Sequence, residues 1–230
     1  MFHNPLLIGL TVLGANLPDF DHDFKRNNVL VIFILGLAVS ILLYFLNLPY
    51  YLGLIFLVFG FIFLFSKHRG FTHSILGCLV LGFLLFCLLY CILDLSLSFG
   101  WDFSFGNLST KILVLFVFLA FLSVFFLNKR LCPIYIMFIV FSCVLINFGV
   151  ISSFKLDVVS ILFSIFLGLF SHMVLDSFTP SGIKPFVFIT HKKFHKKFGL
   201  LLLVILILVY FIFFKNYSYF YVNILNDFML

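Results

Sequence analysis

Glutamate is absent from the 230 residues, and charged residues of all kinds make up only 10%. A soluble domain carries about 25%. The shortfall excludes a water-soluble domain. The longest stretch between apolar runs, about residues 94–110, is too short to fold independently. Without a soluble basic domain, the formal net charge of +6 is not evidence for nucleic-acid binding, and no nucleic-acid partner is expected. The cysteines are few as well. Cys78, Cys87, Cys91, Cys132 and Cys143 all fall inside hydrophobic runs, and none forms C-x-x-C. That excludes a disulfide framework; Cys87 and Cys91, on one helix face, are small packing residues. No Lys or Arg precedes the apolar stretch Leu6–Ala15, and a polar motif follows it instead of a cleavage site, which argues against a cleaved signal peptide.

What is present is grease. Hydrophobic residues make up 64% of the chain, mean hydropathy is +1.30, and there are 38 phenylalanines. Several runs approach the roughly 20 apolar residues that a bilayer demands. The expected fold is all-α, a polytopic transmembrane helix bundle forming one integral membrane domain over residues 1–230. Seven full spans are expected at about 28–46, 50–66, 71–93, 111–127, 131–151, 158–176 and 199–214. A short apolar segment, 5–17, precedes them and either spans with help or re-enters. The aromatic tail 216–230 is expected at an interface.

The basic residues alternate with these spans. Lys25, Arg26, Lys67, Arg69, Lys129, Arg130, Lys184, Lys192, Lys193, Lys196 and Lys197 fall on one side, and Lys111, Lys155 and Lys215 on the other. Eleven against three is a positive-inside pattern, which makes the rich side cytoplasmic. The expectation is a multi-pass plasma-membrane protein with lipid head groups among its contacts.

Three polar units interrupt the grease: LPDFDHD (17–23), HRGFTHSIL (68–76) and SHMVLDSFTPSG (171–182). By this topology each lies at the cytoplasmic end of a span. His172 and Asp176 are four apart and share a helix face with Gly168, Ser164 and Ser160. Such a small and polar stripe faces a neighbouring helix. The pair is either two ligands for one metal ion or a hydrogen-bonded end to a packing face. Asp19, Asp21 and His22 crowd within four residues; they either share a cation or sit in a solvated loop neutralised by Lys25 and Arg26. Asp23 is read as a solvated loop residue. Gly70 permits a turn that can bring His68 and His73 together. Thr72 is expected as a helix N-cap, with Ser74 in the first turn. Arg69, a fixed charge with five donors, suits phosphate or carboxylate, unless the stretch is an ordinary basic loop.

Ionisable groups near membrane depth are expensive and usually functional. Asp19, Asp21, His22, His68, His73, His172 and Asp176 together supply up to seven nitrogen and oxygen ligands with no cysteine. That set suits a divalent metal ion, Zn²⁺ or Mn²⁺ with Fe²⁺ also compatible, and has room for one ion or two.

The three units, in this order, resemble the YdjM-like family of inner-membrane predicted metal-dependent hydrolases. The matching residues are LPDFDH (17–22), HRGFTHSIL (68–76) and GLFSHMVLDSFTPSGI (168–183). The resemblance implies metal ligation or catalysis at Asp19, Asp21, His22, His68, His73, His172 and Asp176. It implies supporting roles for Arg69, Thr72, Thr179 and Gly182. His3 is left out of the set. Beyond Gly182 the sequence KPFVFITHKKFH departs from the family's Trp-Pro-like end, and His191 and His195 within it are read as part of a basic interfacial stretch.

The first functional expectation is a membrane-bound metal-dependent hydrolase at the cytoplasmic face. Asp19 or Asp21 would accept a proton from water, and Arg69 would bind the developing anion. A phosphoester, including that of a lipid, fits the arginine and the location. The second is a transporter, although its ionisable residues would belong near the midplane. The third is a non-catalytic membrane protein with a structural metal. Integral-membrane lipid phosphatases carry Arg-x5-His-x3-Asp, but here Phe166 stands six residues before His172.

Overall fold

Long apolar runs become helices because a helix satisfies its backbone hydrogen bonds internally where no water is available. The computed structural model describes residues 4–21, 26–66, 70–100, 104–105, 108–151, 157–187, 189–190 and 192–228, with side chains at all of these except 21, 26–28, 104–105 and 213–228. The helices are α1 (Pro5–Asn16), α2 (Arg26–Phe45), α3 (Tyr51–Phe65), α4 (Ile75–Ser98), α5 (Thr110–Phe126), α6 (Leu131–Asn147), α7 (Val158–Ser177) and α8 (Lys196–Phe228). A two-strand ribbon, β1 (Ser104–Phe105) and β2 (Leu108–Ser109), pairs antiparallel before α5. The all-α expectation holds, and a helix overlaps each of the seven expected segments. Length is a stricter test. Among the described residues, α4 and α7 are the two helices long and apolar enough to cross a membrane, with mean hydropathies of 2.8 and 2.3. Seven full spans are not established on that measure. Residues 216–228, within the segment expected at an interface, continue α8.

The outer surface is apolar. Ile34, Phe45, Ile134, Met137, Phe141, Leu200 and Ile212 are all largely exposed. Exposed apolar side chains in such number mark an interface with lipid or protein.

Helix α1 answers the question posed by segment 5–17. Its 12 residues extend about 18 Å, well short of a bilayer core of about 30 Å. Pro5 occupies its first turn and the Asn4 side chain accepts from the Leu6 amide at 3.1 Å, so the start is capped. Leu6, Leu7, Leu10 and Leu13 are buried. The helix lies inside the bundle against α7, α5 and α6, and the Tyr135 hydroxyl of α6 donates to the Gly9 carbonyl at 3.0 Å.

The α1–α7 contact is made through backbone. A Cβ on Gly168 would overlap the Thr11 carbonyl oxygen, and one on Gly14 would stand 2.6 Å from that of Ile165. Glycine permits this approach, as at other close helix crossings in lipid. Ser160, Ser164 and Gly168 are buried, so the small-residue stripe faces a partner helix as expected, and that partner is α1.

Candidate metal centre

Each functional side chain is positioned by a helix end. Pro18 closes α1 and opens a 3-10 turn, Pro18–Asp21. Within it Phe20 is fully buried and packs edge-on against Phe63 at 5.0 Å and Phe126 at 5.1 Å between ring centroids. That anchor sets where Asp19 points. A second 3-10 turn, Phe71–His73, precedes α4. The N-cap of α4 is Ser74, not Thr72: Ser74 Oγ accepts from the Gly77 amide at 3.0 Å. Thr72 has a different role. Its Oγ1 lies 3.0 Å from His73 Nδ1, which fixes the imidazole and leaves Nε2 facing inward. His172 and Asp176 project from the last turns of α7.

Four of the expected ligands meet. His73 Nε2 lies 3.4 Å from Asp19 Oδ1 and 3.3 Å from Asp176 Oδ2. His172 Nε2 lies 3.4 Å from Asp19 Oδ1 and 3.6 Å from Asp176 Oδ2. The two Nε2 atoms are 3.4 Å apart, and one ligand atom from each of the four residues falls within 4.8 Å of all the others. Four ligands held 2.0–2.1 Å from one ion in a tetrahedron stand about 3.3–3.4 Å apart. The donor set therefore fits a divalent cation in both spacing and chemistry: two imidazole nitrogens, and two carboxylates whose charge the ion would balance.

Burial differs around the ring. His73 is fully buried, His172 and Asp176 nearly so at 12% and 14%, while the Asp19 side chain is 47% exposed. Asp19 thus marks the open side. Its burial opposes ionisation, but hydrogen bonds and charge from His172 and His73 outweigh that and hold the carboxyl well below the usual carboxylate range.

The remaining expectations divide. Asp21 ends the 3-10 turn, and its side chain is outside the described residues, as are His22, His68, Arg69, His191 and His3. Thr179 Oγ1 donates to the Asp176 carbonyl at 2.7 Å and lies 3.0 Å from Ser181 Oγ, closing the end of α7. Gly182 has φ +63°, and a Cβ there would meet the Phe194 carbonyl oxygen at 2.7 Å. It turns the chain into a bridge between Ile183 and Phe194. Sequence reasoning missed Phe20 and Gly14. The first is the lone aromatic inside LPDFDHD, and the second sits five residues before Asp19; both were available as signals.

The family model for the YdjM inner membrane protein matches residues 2–225. The chain belongs to the YdjM inner membrane protein family. Neither curated proteins nor solved structures return a match. Family membership places this YdjM chain among inner membrane proteins, in keeping with its apolar outer surface. In this YdjM member each of the three polar units contributes to the convergent set: Asp19 from the first, His73 from the second, and His172 with Asp176 from the third.

Proposed function

We propose that the chain is a multi-pass, metal-dependent hydrolase with its His/Asp centre at the cytoplasmic membrane surface, acting on a phosphoester. The observation that carries this reading is the convergence of Asp19, His73, His172 and Asp176 on one point, with Asp19 on the side open to solvent. Its mixed imidazole and carboxylate donors suit Zn²⁺ or Mn²⁺. When bound, a divalent ion supplies a Lewis acid and activates water for hydrolysis. His73 is the buried ligand, oriented by Thr72. His172 and Asp176 share one face of α7 and close the inner wall. With His73, His172 and Asp176 holding the ion from the inner side, Asp19, half open to solvent, stands where water and substrate would enter. Asp21 and Arg69 retain the roles given by their sequence context, a proton acceptor and an anion contact.

Location supports the same reading over a transporter. His73 precedes the first turn of α4, and His172 and Asp176 lie in the last turns of α7. The centre is therefore at the ends of the two membrane-length helices, not at their middles. The eleven-to-three bias of basic residues supports the cytoplasmic side. The test is turnover of phosphomonoester and phosphodiester lipids by purified protein, before and after chelation. Hydrolysis that chelator abolishes and Zn²⁺ or Mn²⁺ restores is expected. No turnover with any metal would contradict the proposal.

A further inference from the structure

Helix α8 packs along α7 and leaves two cavities on one of its faces. The first, about 190 Å³, runs between the helices and is lined by Phe163, Phe166 and Phe170 of α7 and by Leu202, Ile205 and Val209 of α8. The second, about 670 Å³, opens where α8 begins and is lined by Lys192, Lys193, Lys196, Lys197, His195 and Phe198, among others. Phe198 stands four, seven and eleven residues before Leu202, Ile205 and Val209, so the basic basin and the apolar groove share one stripe of α8.

The basin is positive by construction. No carboxylate lines it among the described residues. It sits at the N-terminus of a 33-residue helix, whose dipole adds positive potential. Gly182 and the Ile183–Phe194 bridge fold the lysine stretch back over the end of α7. On its other side the basin is lined by Thr179, whose hydroxyl donates to the Asp176 carbonyl. Thr179 thus borders the basin and hydrogen-bonds the backbone of Asp176, one residue of the metal centre.

We propose that this crease binds one anionic phospholipid, with an acyl chain along the α7–α8 groove and the phosphate among Lys192, Lys193, Lys196 and Lys197. Charge complementarity names the head group, and an apolar groove on the same helix face names the chain. A free phosphate would satisfy the basin and leave the groove without a purpose. The inference rests on the hydrolase reading only where it makes this lipid the substrate delivered past Thr179 to the centre.

The test is a titration of purified protein in detergent micelles with fluorescent phosphatidylglycerol and fluorescent phosphatidylcholine. The expected result is at least a tenfold preference for phosphatidylglycerol. The K192Q/K193Q/K196Q/K197Q variant should lose that preference, and the corresponding four-arginine variant should keep it. Ile205→Trp, which fills the groove, should weaken both lipids at least fivefold. Asp176→Ala should bind phosphatidylglycerol like wild type, so failure of the metal centre and failure of the lipid site are separable. Unchanged preference in the four-glutamine variant, or its loss in the four-arginine variant as well, would overturn the proposal. So would unchanged binding in Ile205→Trp, or full displacement of lipid by millimolar inorganic phosphate.

Discussion

Asp19 owes its position to Phe20. The ring is fully buried between Phe63 and Phe126, so the turn that carries Asp19 is pinned one residue away from it. Phe20→Ala should cost about 3–5 kcal/mol of stability through the cavity it leaves, read as a lowered thermal midpoint in detergent. It should also weaken metal binding, because the turn is no longer held. Thr72 tests orientation without burial. Thr72→Val keeps the shape and removes the hydroxyl that lies 3.0 Å from His73 Nδ1. Metal affinity should fall about 10- to 100-fold with the fold intact, as measured by competition with a chelator of known affinity. Thr72→Ser should restore it.

At the scale of elements, the centre depends on α1 lying against α7. Gly14 and Gly168 bring their backbones together, and that approach sets Asp19 beside His172. Gly168→Leu should force the helices apart. Bound metal should drop to background while circular dichroism still reports helix, and the milder Gly168→Ala should give an intermediate loss. Much of this was readable beforehand. Hydrophobic runs located the helices because a membrane-compatible chain must satisfy its own backbone. The stripe Ser160, Ser164, Gly168 announced a buried face, and the i,i+4 spacing put His172 and Asp176 together. What the pattern did not carry was the partner. Nothing local in residues 5–17 distinguishes a short helix buried in the bundle from one that spans or re-enters, since either is uniformly apolar. Nor does sequence alone separate Thr72 from Ser74 as a cap, because both hydroxyls precede the same helix; the Gly77 amide goes to Ser74, and Thr72 turns to the neighbouring His73.

For the whole molecule, sidedness follows from charge. If the basic-rich side is cytoplasmic, Lys129→Cys and Lys193→Cys should react with a membrane-impermeant thiol reagent only in inside-out vesicles, and Lys111→Cys only in intact spheroplasts. The reverse pattern would move the centre to the opposite face. The convergence itself is a long-range property: Asp19, His73 and His172 are far apart in the chain and meet only once α1, α4 and α7 have packed. The account therefore stands or falls on whether these residues hold an ion together. The most direct measurement is the metal content of purified wild-type protein beside His73→Ala and Asp176→Ala, by elemental mass spectrometry. Close to one Zn²⁺ or Mn²⁺ per wild-type chain, lost in both variants while each remains folded, is the predicted result. Metal content that neither substitution changes would contradict it.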